Sequence, residues 1–74
     1  MKLTAALHRQ TTKSMGEVVV LLEITSGDGA FYLFRLGTHQ QPLGDTWHPS
    51  LEEAMRQAKY EFSAGPVDWI RSDD

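Results

Sequence analysis

The sequence predicts an α+β fold in two layers: an antiparallel sheet of three or four strands with one C-terminal helix packed on one face, in the order β-β-β-α. Three observations support it: alternating apolar residues at the start, two β-rich runs joined by a glycine-containing turn, and an amphipathic run that opens with a helix-capping sequence. The chain has 74 residues, and we expect one domain over residues 1–74. Because it has no cysteine, disulfides and thiolate zinc sites cannot support so small a core, which leaves association or very good packing.

The first predicted element is a strand with one solvent-exposed face. Leu3, Ala5 and Leu7 alternate with smaller or polar residues, which is the period of two expected of a half-buried strand. The polar residues 10–16 that follow end in a glycine, and the sequence predicts a loop there.

A β-hairpin is predicted next. The β-branched and apolar run 17–25 leads into a turn-forming stretch, and a second apolar run covers residues 30–36. A three-residue loop, residues 27–29, is the preferred connection, because it places Gly29 at the left-handed position that such loops need. The alternative two-residue turn, residues 28–29, would put Arg35 among the aliphatic side chains of run 17–25, the first strand of the hairpin. The residues that share one face in the preferred register are Val18, Val20, Leu22, Ile24, Tyr32, Phe34 and Leu36.

The last predicted element is a helix. After a largely irregular connection, residues 43–47 can add a short edge strand. Ser50 and Glu53 then form a capping box, in which each side chain satisfies a backbone N–H of the other residue, and the helix is predicted over residues 50–64. Residues 65–66, glycine and proline, end it. The apolar stripe of this helix consists of Leu51, Ala54, Met55, Ala58 and Phe62.

The second face of the hairpin is the most informative feature for function. One helix covers only one face, and the exposed face of an antiparallel sheet is normally polar. In the preferred register that face is apolar, which favours burial against another protein surface, with cover from the first strand or the tail as the alternative. Tyr60 lies about 180° from the apolar stripe, and Trp47 and Trp69 are expected either at the core edges or in a contact. The predicted interaction surface consists of Val19, Leu21, Phe31, Leu33 and Tyr60.

Charge and motifs argue against several other kinds of site. The net charge is −3, which disfavours nucleic-acid binding, although Lys2, Arg9 and Lys13 form a basic first segment that keeps it as an alternative. No glycine-rich nucleotide-binding sequence is present, and no two histidines have the i,i+4 spacing of a helical metal site. The run 45–50 contains aspartate, histidine and serine, but turn and capping roles account for them. We therefore expect no catalytic residues, cofactor or metal.

Composition also bears on location. The start of the chain lacks the apolar block that a signal peptide needs, and the longest apolar run, residues 18–22, is too short to span a membrane. The absence of cysteine agrees with a reducing compartment. We therefore expect a cytoplasmic protein with no membrane contact.

Residues 44–54, Gly-Asp-Thr-Trp-His-Pro-Ser-Leu-Glu-Glu-Ala, follow two predicted strands. In this outline the chain resembles the small HicB-type antitoxin domains, whose strands lead into a helix with a similar Leu-Glu-Glu-Ala opening. It is also similar to small bacterial proteins of uncharacterised function. The chain departs from the HicB pattern in its large apolar third strand and in lacking both a Pro-x-x-Pro-Gly segment and a following DNA-binding domain. The resemblance implies neutralisation of a toxin by covering its surface.

These observations predict a non-catalytic protein–protein interaction module that acts as a homodimer. Its expected contact surface is the second face of the hairpin or an open strand edge. An antitoxin-like or nucleic-acid-linked regulatory protein is the first alternative, and an enzyme is the second.

Overall fold

Strands and a helix account for most of the chain that the structure describes. The computed structural model describes residues 1–7, 13–14, 16–62 and 69–72. The elements in chain order are β1 (Lys2–Ala6), β2 (Lys13–Ser14), β3 (Glu17–Val18), β4 (Leu21–Gly27), β5 (Ala30–Leu36), β6 (Pro42–His48), α1 (Leu51–Phe62) and β7 (Ile70–Ser72).

Five strands form one antiparallel sheet in the order β6-β5-β4-β1-β7, and β2 pairs with β3 in a separate ladder. The helix α1 contacts β5 and β6, which confirms the predicted two-layer α+β fold. The sheet has one or two strands more than expected, because β7 returns after the helix to pair with β1. A strand of three residues is too short to show the alternation by which strands are predicted. The expected edge strand is confirmed as β6, whereas β2 lies in a region predicted to be a loop.

The helix begins where the capping sequence predicts. The Ser50 hydroxyl accepts a hydrogen bond from the backbone N–H of Glu53 at 3.2 Å. The Glu53 carboxylate accepts a hydrogen bond from Arg56, not from the backbone N–H of Ser50 as a complete capping box requires. The expected ion pair between Glu52 and Arg56 is present at 3.1 Å. The predicted end of the helix, residues 63–66, lies outside the described residues.

The hairpin of β4 and β5 closes through a two-residue turn at Asp28 and Gly29, so the expected three-residue loop is wrong. Both residues have positive φ, 52° and 77°, as a type I′ turn requires, and the twist of this turn matches that of the paired strands. Ile24 therefore pairs with Leu33, and Arg35 comes to the same face as both. The shift by one residue exchanges the two faces of β5 relative to the prediction.

A bulge precedes β4. The backbone N–H of Val20 donates to the carbonyl oxygen of Leu36 at 2.9 Å, while the next residue, Leu21, is paired with the same Leu36. Two residues thus oppose one, and the alternation of side chains shifts by one position. Consequently Val19, rather than Val20, lies in the core with Leu22.

The core lies between the sheet and α1. We call the sheet face that contacts α1 the inner face and the opposite one the outer face. Ala5 of β1 is buried with the alternating leucines on either side of it, as the sequence predicts. Trp69 packs against the edge of this core. Its buried members are Leu3, Leu7, Val19, Leu22, Ile24, Leu33, Leu43, Ala54, Ala58 and Phe62.

Candidate interaction surface

The outer face of the sheet is built from the alternate residues of each strand. Leu33 and Ile24 are fully buried on the inner face, so their neighbours in sequence point away from the helix. The described part of the chain has no helix on that side. The outer face consists of Lys2, Thr4 and Ala6 from β1, Leu21, Glu23 and Thr25 from β4, Tyr32, Phe34 and Leu36 from β5, Pro42, Asp45 and Trp47 from β6, and Ile70 and Ser72 from β7.

Large apolar side chains dominate the part of the outer face near β5. Trp47 is 60% exposed, and Ile70, across the sheet on β7, is 68% exposed. Tyr32, Phe34 and their apolar neighbours on β4 and β5 are half-buried. An outer face of an antiparallel sheet in water is expected to be polar, so this patch is unusual for a lone subunit.

Charged residues lie in fixed positions around the apolar patch. Lys2 and Glu23 form an ion pair at 3.7 Å across β1 and β4. Asp45 is exposed on the edge strand β6, and no ion pair of Asp45 occurs among the described residues. Phe34 lies between Asp45 and Glu23, because it is the cross-strand partner of both. Two carboxylates therefore flank the central aromatic residue.

The inner face contains a buried charge that the helix neutralises. Arg35 is 5% exposed, and two of its nitrogens donate to the two carboxylate oxygens of Glu61 on α1. Its third nitrogen donates to the carbonyl oxygen of Leu33 at 3.0 Å and to the hydroxyl of Thr46 at 3.2 Å. This arrangement satisfies the guanidinium in the planar, bidentate geometry that arginine favours.

The Glu61 carboxylate is held in its charged form. Burial raises its pKa, but hydrogen bonds from Arg35 and Gln57 and the positive charge of Arg35, with a smaller contribution from His48, outweigh burial and lower the pKa below 4.5. Gln57 donates to the carboxylate at 2.6 Å. The cluster is thus a structural ion pair with its hydrogen-bonding groups occupied.

A depression of about 200 Å³ lies beside this cluster and is lined by His48, Glu53, Arg56, Gln57 and Tyr60. The His48 ring shares a 2.7 Å hydrogen bond with the Thr46 hydroxyl, which fixes the ring. The depression offers an imidazole as an acid or base, but its lining contains no serine, threonine or cysteine nucleophile. The expectation of a non-catalytic protein stays a prediction.

The five residues of the predicted interaction surface do not lie together. Val19 and Leu33 are fully buried in the core, and Phe31 packs against it. Leu21 is on the outer face, and Tyr60 is 80% exposed on the helix, as its spacing predicts. Two features place these residues differently from the expectation: the hairpin register is shifted by one residue, and the bulge before β4 turns Val19 inward.

The outer face includes residues that the sequence pattern assigned to the core. Tyr32, Phe34 and Leu36 were expected beneath the helix, and Trp47 was open between the two roles. The signal that indicates their true side is the Asp-Gly dipeptide, which is typical of a two-residue type I′ turn. Giving that dipeptide more weight than the burial of one arginine leads to the observed register.

No helix among the described residues has the length and apolar character needed to cross a bilayer. The suggested likeness to HicB-type antitoxin domains stays a prediction. Comparisons of the chain with protein-family models, curated proteins and solved structures found no match.

Proposed function

We propose that this protein is a non-catalytic protein-interaction module that acts as a homodimer, with the outer face of the sheet as its contact surface. One observation carries the proposal: aromatic and aliphatic side chains cover the face of the sheet on which the described chain places no helix. Contiguous apolar patches with a polar rim mark interfaces, and tryptophan and tyrosine are enriched at their centres.

A second copy is the partner that the size of the chain favours. A domain of 74 residues buries a smaller share of its surface than a larger domain does, and it gains stability when further apolar area is covered. Closed two-fold dimers are the commonest assemblies of soluble proteins, and a single patch suffices for one because the patch meets itself. A cytoplasmic location, expected from the composition, belongs to this proposal.

The antitoxin-like or nucleic-acid-linked alternative is supported less well. It depends on the basic first segment, in which Lys2 is already paired with Glu23. Asp45 and Glu23 on the outer face would repel a phosphate backbone. A polynucleotide that bound the protein and was released steeply by salt would favour this alternative.

The experiment is a comparison of oligomeric state by light scattering over a dilution series. We expect a dimer for the natural sequence and a dimer weakened at least 30-fold or so for Phe34→Glu, because replacing a central aromatic residue of an interface typically costs about 2 kcal/mol or more. Tyr60→Glu is the matched control, since it places the same charge at an exposed aromatic position on the helix. Far-UV circular dichroism should be unchanged in both variants. A natural protein that is monomeric at millimolar concentration contradicts the proposal.

A further inference from the structure

The arrangement of the two copies follows from the charges on the outer face. Resting on the homodimer proposed above, we infer that two sheets pack outer face to outer face about a two-fold axis parallel to the strands and between β4 and β5. Each edge strand β6 then lies over β1 of the partner subunit, and β5 lies over the partner's β4.

Strand pairing orders the outer face into three rows that run across the sheet from β6 to β7. The first row contains an indole on β6 and an ammonium group on β1, the second row contains both carboxylates, and the third row is apolar throughout. The rows are Trp47, Tyr32, Thr25, Lys2 and Ser72; Asp45, Phe34, Glu23, Thr4 and Ile70; and Pro42, Leu36, Leu21 and Ala6.

Two other simple axes bring like charges together. An axis parallel to the strands but passing through β5 places Asp45 of each copy over Glu23 of the partner subunit. An axis perpendicular to the strands, through the second row, places each of these carboxylates over its own counterpart. Acids in direct apposition at a partly dehydrated interface repel strongly, so both arrangements are disfavoured.

The axis between β4 and β5 brings no two like charges into direct contact and places apolar side chains opposite one another. Trp47 meets Lys2 of the partner subunit, whose side chain is 40% exposed, and this is the geometry of a cation–π contact. Asp45 comes within reach of the same ammonium group, because it is one row away. Leu36 meets Leu21 of the partner subunit, so the apolar row is covered by hydrocarbon.

This axis also keeps every carboxylate of the outer face near a cation. Glu23 retains its own Lys2 at 3.7 Å when Phe34 of the partner subunit covers it. Each Lys2 then lies between its own Glu23 and Asp45 of the partner subunit. Sheets packed in this way keep their strand directions within about 30° of each other, which is the ordinary aligned packing of β-sandwiches.

The test is a pair of charge reversals, D45K and K2E, examined alone and in a one-to-one mixture. Each homodimer then contains two repelling contacts, and we expect its dissociation constant to rise about tenfold. In the mixture both contacts pair opposite charges, so the heterodimer should be as stable as the natural dimer. Native mass spectrometry separates the heterodimer from both homodimers by mass. Glu52→Lys, an equal change of charge on the exposed side of α1, is the control and should leave the dissociation constant unchanged.

The outcomes separate this arrangement from the function on which it rests. Heterodimer formation in preference to both homodimers supports the axis. If the natural protein is a dimer that Phe34→Glu dissociates, but the mixture forms no excess of heterodimer, the axis is wrong and the contact surface stands. If the natural protein is a monomer, the dimer and its arrangement both fail.

Discussion

Both faces of this sheet contain large apolar side chains, but only one of them lies beneath the helix. On β5, Leu33 is fully buried beneath the helix, whereas its neighbour Phe34 is only partly buried on the outer face. The one charged residue of β5, Arg35, lies on the inner face, where Glu61 of the helix neutralises it. Hydrophobicity alone therefore does not identify the core of a small sheet. The core lies on the side of the sheet where the helix packs. The register of one hairpin determines which side chains point to that side.

The largest expected effect contrasts the two faces at adjacent positions. Leu33→Ala should lower the free energy of unfolding by about 3 kcal/mol, because it removes a fully buried side chain and leaves a cavity. Phe34→Ser should cost less than about 1 kcal/mol in the monomer, since its side chain is already partly hydrated. Urea denaturation at a protein concentration below the dimer dissociation constant measures both free-energy changes. Equal losses would show that the two faces are equally enclosed within one subunit.

The buried ion pair provides the next contrast. Glu61→Ala should lower the free energy of unfolding by about 2 kcal/mol, because Arg35 then keeps a dehydrated charge without its carboxylate. Glu52→Ala, on the exposed side of the same helix, should change it by less than about 0.5 kcal/mol. The double change Arg35→Leu with Glu61→Leu should recover part of the loss. A single Glu61→Ala variant as stable as Glu52→Ala would mean that water reaches the guanidinium.

The same pair predicts a dependence on pH. The folded-state pKa of Glu61 is lowered, so its contribution to stability is fully present above the ordinary value of 4.5 and is lost as the pH falls through the lowered folded-state pKa. Thermal unfolding followed from pH 7 to pH 2 should show a drop in melting temperature in this acidic window. In Glu61→Gln the part of the drop due to this carboxylate should disappear. An identical pH profile for the two proteins would contradict the assignment.

The smallest expected effect concerns the turn that sets the two faces. Gly29→Ala should lower the free energy of unfolding by about 1 kcal/mol, because alanine is strained at a φ of 77°. Gly27→Ala is the matched control: Gly27 has no positive φ, and an added methyl group would meet nothing within 4 Å. It should change stability by less than about 0.5 kcal/mol. The reverse order would favour a loop that includes residue 27.

Local signals predicted much of the fold. The alternation around Ala5 predicts β1, and the hydroxyl of Ser50 begins the helix at the predicted place. These elements depend on neighbours in sequence, so the sequence alone specifies them. The strand β7 and the β2–β3 ladder have too few residues to show a period.

The hairpin register could not be predicted in the same way, because the residue that neutralises Arg35 lies far from it in the sequence. Placing Arg35 among aliphatic residues is unfavourable until Glu61 is known to lie above it, 26 residues later in the chain. The bulge at Val20 is a second contact-dependent feature that no run of valines reveals. The candidate surface depended on both, and this is why three of its members, Val19, Phe31 and Leu33, lie on the inner side rather than on the outer face.

The ion pair beneath the helix also determines how the two layers are aligned. The helix buries two small side chains, Ala54 and Ala58, against the sheet, and side chains of that size do little to fix the position of a helix on a flat sheet. A guanidinium that requires two carboxylate oxygens at one place allows a single seating of the last helical turn. We therefore expect the pair to act mainly as an alignment device: without it the layers would remain together in several competing registers, and amide exchange along the helix would become fast and uneven.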